Sequence, residues 1–216
     1  MDSFSQRKKS ILEKKDKASK GSWDVRITML CNKLNYISHY YTTSSCSGKT
    51  VIMEEKTGKD GTYYLWNNHE LINFEELKGV LDEICSKFFT SRTLKTRPTL
   101  PNSEQISKLT KKSIKENFVI KLKSESPILF VACENINYAK DLLEKSIKSG
   151  FKESGIKITN KLIGVEIRSG EKLEFPLIKN SKLLVSSNFL KEVVSQINKK
   201  RKIGWKKIET LYSLVQ

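Results

Sequence analysis

Between positions 39 and 68, three runs rich in Tyr, Thr, Val and Ile (HYYTTSS, KTVIMEE and TYYLWNN) are separated only by CSG and by KTGKDG. β-Branched and aromatic residues suit the half-buried surface of a sheet, whereas Gly, Ser and Asp suit tight turns. The second and third runs therefore read as a β-hairpin. Hairpin-linked strands exclude a simple alternation of strand and helix, and with it a doubly wound parallel sheet.

The rest of the chain supplies helices around further strands. Residues 3 to 20 read as helical and carry seven basic residues. Ser22 is expected to cap a second helix with Ile27, Leu30, Cys31 and Leu34 on its apolar face and Asp24 in its first turn. Asn73 caps a third, with Glu76 completing a capping box and Phe74, Leu77, Leu81, Ile84 and Phe88 as its stripe. From 90 to 115, Ser, Thr, Pro and basic residues mark a mobile or protruding connection, with room for a short helix after Ser103. The segment FVIKLKSE alternates (Phe118, Ile120, Leu122), and ILFVAC is continuous enough for a buried central strand. Asn135 opens a helix facing inward with Ile136, Ala139, Leu143 and Ile147 and ending at Gly150. SGIKITN, LIGVEIR and KLEFPL read as a three-strand meander. Ser187 starts a long basic helix over about 187–213, with Phe189, Leu190, Val193, Val194 and Ile197 inward. Together these elements give one α+β domain spanning 1–216, built on a mixed, mostly antiparallel sheet.

Charge narrows the function. Forty Lys and Arg against 24 Asp and Glu give a net +16, an excess that attracts polyanions, of which nucleic acid is the commonest. The charge is clustered, six Lys or Arg falling within NKKRKIGWKK alone. No apolar run approaches the roughly 20 residues of a membrane span. MDSFSQRKKSILEKKDK lacks a signal peptide's apolar segment, so the default compartment is the cytoplasm. Cys31, Cys46, Cys85 and Cys133 contain no C-x-x-C pair, so free thiols and no metal are expected.

One short stretch invites a chemical reading. TTSSCSGKT, residues 42 to 50, ends like a phosphate-binding loop. Thr43 stands where that loop needs its first glycine, and the β-run VIMEE follows where a helix should open. Cys46 has no protease or transferase signature around it. A polar binding shelf of Ser44, Ser45 and Ser47 with Gly48 remains, beside the plainer reading of an ordinary turn.

The ordered pieces KGSWD, YYTTSSCSGKT, LWNNHE, SPILFVAC, KSGFKESGI and VEIRSGEKLEFPL, from about Asp16 to Ile197, resemble the tRNA wybutosine-synthesizing protein 3 family in its archaeal form. The resemblance implies a curved mixed sheet with flanking helices, not a Rossmann-type methyltransferase. It implies an S-adenosylmethionine-dependent enzyme acting on tRNA(Phe), methylating ring nitrogen N(4) of the tricyclic demethylwyosine-type base at position 37. Lys49, Phe130 and Glu134 stand where the family more usually has Arg, His and Arg, which sets a non-catalytic tRNA-binding relative beside the enzyme as the alternative. On this resemblance Ser44, Ser45, Cys46, Ser47 and Gly48, with Ser154 and Gly155, are the expected cofactor shelf. Asp24 and His69 are the expected catalytic pair, to orient the base or take its proton. Lys49, Arg168, Lys199, Lys200 and Arg201 are the expected tRNA contacts, and Tyr40, Tyr41, Tyr64 and Trp66 are candidate stacking platforms.

Overall fold

The computed structural model describes residues 3–13, 24–55, 62–93, 119–160, 162–179 and 182–215. Five helices occur among them: α1 (Phe4–Leu12), α2 (Val25–Tyr36), α3 (Phe74–Thr93), α4 (Ile136–Lys148) and α5 (Ser187–Leu214). The strands are β1 (Tyr40–Cys46), β2 (Lys49–Glu55), β3 (Thr62–Asn68), β4 (Val119–Glu125) and β5 (Ile128–Cys133). They continue as β6 (Gly155–Thr159), β7 (Leu162–Arg168), β8 (Leu173–Lys179) and β9 (Lys182–Leu183). The chain divides into two compact units: Met1–Lys49 with Ser126–Glu171 and Lys200–Gln216, and Thr50–Glu125 with Lys172–Lys199.

The first unit is built on a four-stranded antiparallel sheet in the order β1-β5-β7-β6. ILFVAC is an interior strand paired on both edges, as its unbroken apolar run predicts. Leu129, Val131 and Cys133 of β5 point to one face, where α2, α4 and the second half of α5 close a core with Ile27, Leu30, Leu34, Leu142, Ile208 and Leu211. Truncating a wholly buried leucine such as Leu34 to alanine costs about 2–5 kcal/mol. The cap of α2 is Asp24 itself, whose Oδ1 accepts from Arg26 N at 3.2 Å; the expected cap, Ser22, lies outside the described residues, as do 14–20 of the expected first helix. Asn135 caps α4 as expected, accepting from Asn137 N and Tyr138 N. The inward face of α4 is Ala139, Leu142 and Ser146, and Ile147 is 46% exposed. Apolar residues lie on both sides of this helix, and its neighbours select the face that is buried.

The second unit carries the sheet β3-β2-β4-β8-β9. The β2–β3 hairpin forms as read, with Thr50 opposite Asn68. β4 alternates, burying Ile120, Leu122 and Ser124. α3 and the first half of α5 cover one face with Leu77, Leu81, Leu190, Val193 and Ile197. Asn73 Oδ1 accepts from Glu76 N at 2.8 Å, while the Glu76 carboxylate takes Asn68 Nδ2 at 2.9 Å. α3 runs on to Thr93, beyond the start expected for the connection, whose residues 94–115 lie outside the described ones.

The fold is α+β and mostly antiparallel, as read, but the expected mixed sheet is two sheets and other details differ. The expected meander is divided: β6 and β7 pair in the first unit, whereas β8 pairs with β4 and β9 in the second. α5 starts at Ser187 as expected, capped by the preceding Ser186, whose hydroxyl accepts from Phe189 N. Phe189 is 47% exposed and meets Phe175 edge-on instead of entering the core.

Candidate functional site

Among the described residues, one face of the first unit's sheet packs under α2, α4 and the second half of α5, and those helices leave the other face uncovered. On the second face, cross-strand register aligns Ser44 of β1, Phe130 of β5, Glu166 of β7 and Gly155 of β6 in one row. Cys46, Ile128 and Arg168 form the next row. A bulge at Thr43 creates this arrangement, because the register of β1 shifts between Thr42 and Ser44. One extra residue reverses the alternation, so Thr42 and Ser45 both turn toward the core while Ser44 and Cys46 face outward. Asn35 stabilises the bulge, its amide accepting from Thr42 N at 2.7 Å and donating to Thr42 Oγ1 at 3.0 Å. At the far end of this face α1 lies against the sheet, the Phe4 and Tyr41 rings meeting at a tilt of 47° with centroids 5.1 Å apart.

The inward hydroxyls of Ser45 and Thr42 meet the thiol of Cys31. Burial pushes that thiol up to about 11, against the opposing effect of the two hydrogen bonds. Cys31 is thus a neutral packing residue, and Ser45 serves the core side of the shelf.

Ser47 is buried, and both its N–H (3.1 Å) and its hydroxyl donate to Asp24 Oδ2. Gly48 follows at φ +96°, a left-handed conformation that a side chain would strain. Asp24 therefore has two tasks: Oδ1 caps α2 and Oδ2 holds the β1–β2 turn against that helix end. Sequence reading placed Asp24 near this loop for catalysis, and the geometry gives it a positioning task there.

Ser154 and Gly155 lie at the opposite edge of the sheet, three strand spacings or about 14 Å from Ser44. The hydroxyl of Ser154 donates to Phe151 O at 2.7 Å and accepts from Arg168 N at 3.1 Å, so it fastens the start of β6 to the end of β7. The structure does not bring it alongside the serine-rich loop. Arg168 is half-exposed and 3.8 Å from Glu166, which also pairs with Lys157 at 3.5 Å. Glu166 escaped the sequence reading; its one signal was a charge at an alternating position of LIGVEIR.

His69 follows β3 in the second unit and is half-buried; Asn68 beside it accepts from Glu70 N at 2.6 Å. Lys49 opens β2 and is half-buried. On α5, Lys199 is exposed and Lys200 half-buried, but Arg201 is only 4% exposed. Arg201 falls on the buried stripe Ile197, Arg201, Trp205, Ile208, at i, i+4, i+8 and i+11, so helical periodicity turns it away from the basic surface. Of the four aromatic candidates, Tyr40 and Tyr41 are buried, and the Tyr40 hydroxyl donates to Tyr138 O and Asp141. Trp66 packs against the second core, and Tyr64 is 43% exposed.

A hydroxyl, a thiol, a guanidinium and a carboxylate thus surround two apolar side chains, Phe130 and Ile128, on the sheet face that α2, α4 and α5 leave open. Such a set can bind a zwitterion and a flat ring together. Comparison with known proteins places the chain in a family. The profile of the family described as Methyltransferase TYW3 matches residues 6–216. A Methanocaldococcus jannaschii protein named tRNA(Phe) 7-((3-amino-3-carboxypropyl)-4-demethylwyosine(37)-N(4))-methyltransferase is 30% identical over 200 residues, covering 91% of this chain and 88% of its own. A Xenopus laevis tRNA wybutosine-synthesizing protein 3 homolog is 27% identical over 218 residues, covering 98% and 74%. The solved structure of PH1069 from Pyrococcus horikoshii superposes with a TM-score of 0.76 at 27% identity, covering 99% of this chain and 96% of that one. The chain belongs to the TYW3 methyltransferase family.

Proposed function

We propose that this protein methylates N(4) of the demethylwyosine-type base at position 37 of tRNA(Phe), with S-adenosylmethionine as donor. The observation that carries this reading is the end-to-end correspondence with the Methanocaldococcus jannaschii methyltransferase, 91% of this chain being covered. The net charge of +16 suits a polyanionic substrate, and among the described residues no helix is long and apolar enough to cross a membrane.

The donor set of the uncovered face fits the cofactor. Arg168 suits its carboxylate, Ser44 and Glu166 offer a hydroxyl and a carboxylate to its polar groups, and Ile128 and Phe130 suit an apolar or aromatic part. Cys46 adds a half-buried, polarisable contact, while Ser47 and Gly48 shape the turn that carries it. When bound, the cofactor supplies an electrophilic methyl group on a sulfonium. The protein's task is then alignment, because an in-line displacement gains most from holding the nucleophile and the methyl group in register. Asp24 keeps the turn after Cys46 fixed against α2. His69 is the proposed acceptor for the proton that N(4) loses as its bond to carbon forms. Lys49, Lys199 and Lys200 are the proposed phosphate contacts, which position the tRNA without reading its sequence.

The test is incubation of tRNA(Phe) carrying the demethylwyosine-type base with the protein and S-adenosylmethionine, followed by nucleoside mass spectrometry. A gain of one methyl group on that base is expected. Binding of the tRNA with neither methyl gain nor cofactor binding would replace the enzyme with a non-catalytic tRNA-binding relative.

A further inference from the structure

Phe130 is an apolar ring on the face of the first sheet that α2, α4 and α5 do not cover. The core does not require it there: Leu129 and Val131 on either side point to the opposite face and are 2% and 0% exposed. Nor does the ring stand off the sheet. A Cβ at Gly164 would fall 2.7 Å from the ring atoms Cε1 and Cζ, so the ring tip lies down over its diagonal neighbour on β7. Only glycine leaves that space. Glycine weakens a strand interior, and here its effect is to seat an aromatic ring along the sheet surface. Polar groups frame the ring: Ser44 and Glu166 are its direct cross-strand partners, and Arg168 and Cys46 flank Ile128 in the adjoining row.

We propose that Phe130 is a stacking platform for a planar heteroaromatic ring, with Ser44 and Glu166 meeting that ring's polar edge. The inference rests on the methyltransferase reading, which supplies two such rings, the adenine of the donor and the tricyclic base of the tRNA. A π-face stacks on a heterocycle of either source, while a hydroxyl and a carboxylate match the N–H and ring-nitrogen positions at its rim.

Two variants separate aromaticity from bulk: Phe130→Leu keeps an apolar group without a π-face, and Phe130→His keeps a planar ring that extends no further over Gly164. Both are checked for unchanged circular dichroism. Binding is measured at pH 8 by calorimetry with S-adenosylhomocysteine, and by gel shift with tRNA(Phe) bearing either the tricyclic base or unmodified guanosine. Phe130→Leu is expected to weaken one of the two ligands by about 5- to 100-fold, the range for losing one base stack, while Phe130→His stays close to wild type. Loss confined to S-adenosylhomocysteine assigns the platform to adenine. Loss confined to the modified tRNA, with the unmodified tRNA unaffected, assigns it to the substrate base. Wild-type affinity of Phe130→Leu for both ligands, or equal losses in both variants, overturns the platform and leaves the methyltransferase reading standing. A wild-type protein that binds neither ligand overturns both.

Discussion

Asp24 offers the sharpest test of how the candidate site is held together. Its carboxylate caps α2 through Arg26 N and accepts both donors of Ser47, a residue that is 1% exposed. Asp24→Ala removes a helix cap, at about 1 kcal/mol, and leaves two buried donors without this acceptor, at about 1–3 kcal/mol each. The expected destabilisation is about 3–7 kcal/mol, which lowers Tm by about 6–28 °C in a chain of this length. Ser47→Ala removes one donor and leaves Asp24 its other partners, so about 1–2 kcal/mol is expected. Because the two residues share a hydrogen bond, the double variant should fall short of the sum by about 1–2 kcal/mol. Urea unfolding followed by circular dichroism on the wild type, both single variants and the double variant measures this coupling. Additivity within about 0.5 kcal/mol would refute the clamp. Asp24→Asn, which retains an acceptor oxygen, then separates positioning from proton transfer: a positioning residue raises KM and spares kcat, whereas loss of a base lowers kcat.

Stability should also fall in alkali. Burial raises Cys31 to about 11 and Cys133 to about 12 from an unfolded value of 9.0, so each contributes stability that is complete below pH 9 and is lost as pH rises through the folded value. For Cys31 the loss reaches about 2–3 kcal/mol near pH 11, and urea midpoints between pH 8 and 11 should flatten in Cys31→Ala; an unchanged slope would contradict the assignment. Lys199→Ala should reduce the slope of log affinity for tRNA against log salt by about 1. Arg201→Ala should instead lower Tm, because its guanidinium is buried, and tRNA titrations at two salt concentrations with parallel melting curves separate the two residues. Gly164→Ala forces a Cβ to 2.7 Å from the Phe130 ring and 2.8 Å from Val131 O. The main-chain oxygen cannot move aside as a side chain can, so about 1–3 kcal/mol should be lost in thermal melts.

Much of this architecture is written locally in the chain. The β2–β3 hairpin, the Ile27-Leu30-Cys31-Leu34 stripe, the Asn135 cap and the buried run ILFVAC each depend on residues close in sequence, and each forms as its pattern predicts. Family resemblance was legible as well, because it rests on ordered short motifs rather than on geometry. Where two faces of a helix are both partly apolar, as around Ile147 and Phe189, periodicity could not choose between them. Strand partnership was beyond local reading for a similar reason. The turn between β7 and β8 looks like the turns of a meander, yet β8 joins β4 across some fifty positions of sequence.

At the candidate site the division is finer. The residue types of TTSSCSGKT were enough to reject a phosphate loop and to suggest a polar shelf. They could not show which hydroxyls face outward, because one bulged residue at Thr43 reverses the alternation and sends Ser45 toward Cys31 while Ser44 turns to Phe130. Asp24 meeting Ser47, Glu166 beside Phe130, and the Phe130 ring lying over Gly164 join positions 23, 36 and 34 residues apart, and Ser44, the other cross-strand partner of Phe130, lies 86 positions before it. Composition and periodicity describe what each segment can do alone. Register, bulges and the space left by a missing Cβ arise only when segments meet, so the tertiary structure alone decided which side chains share the uncovered face.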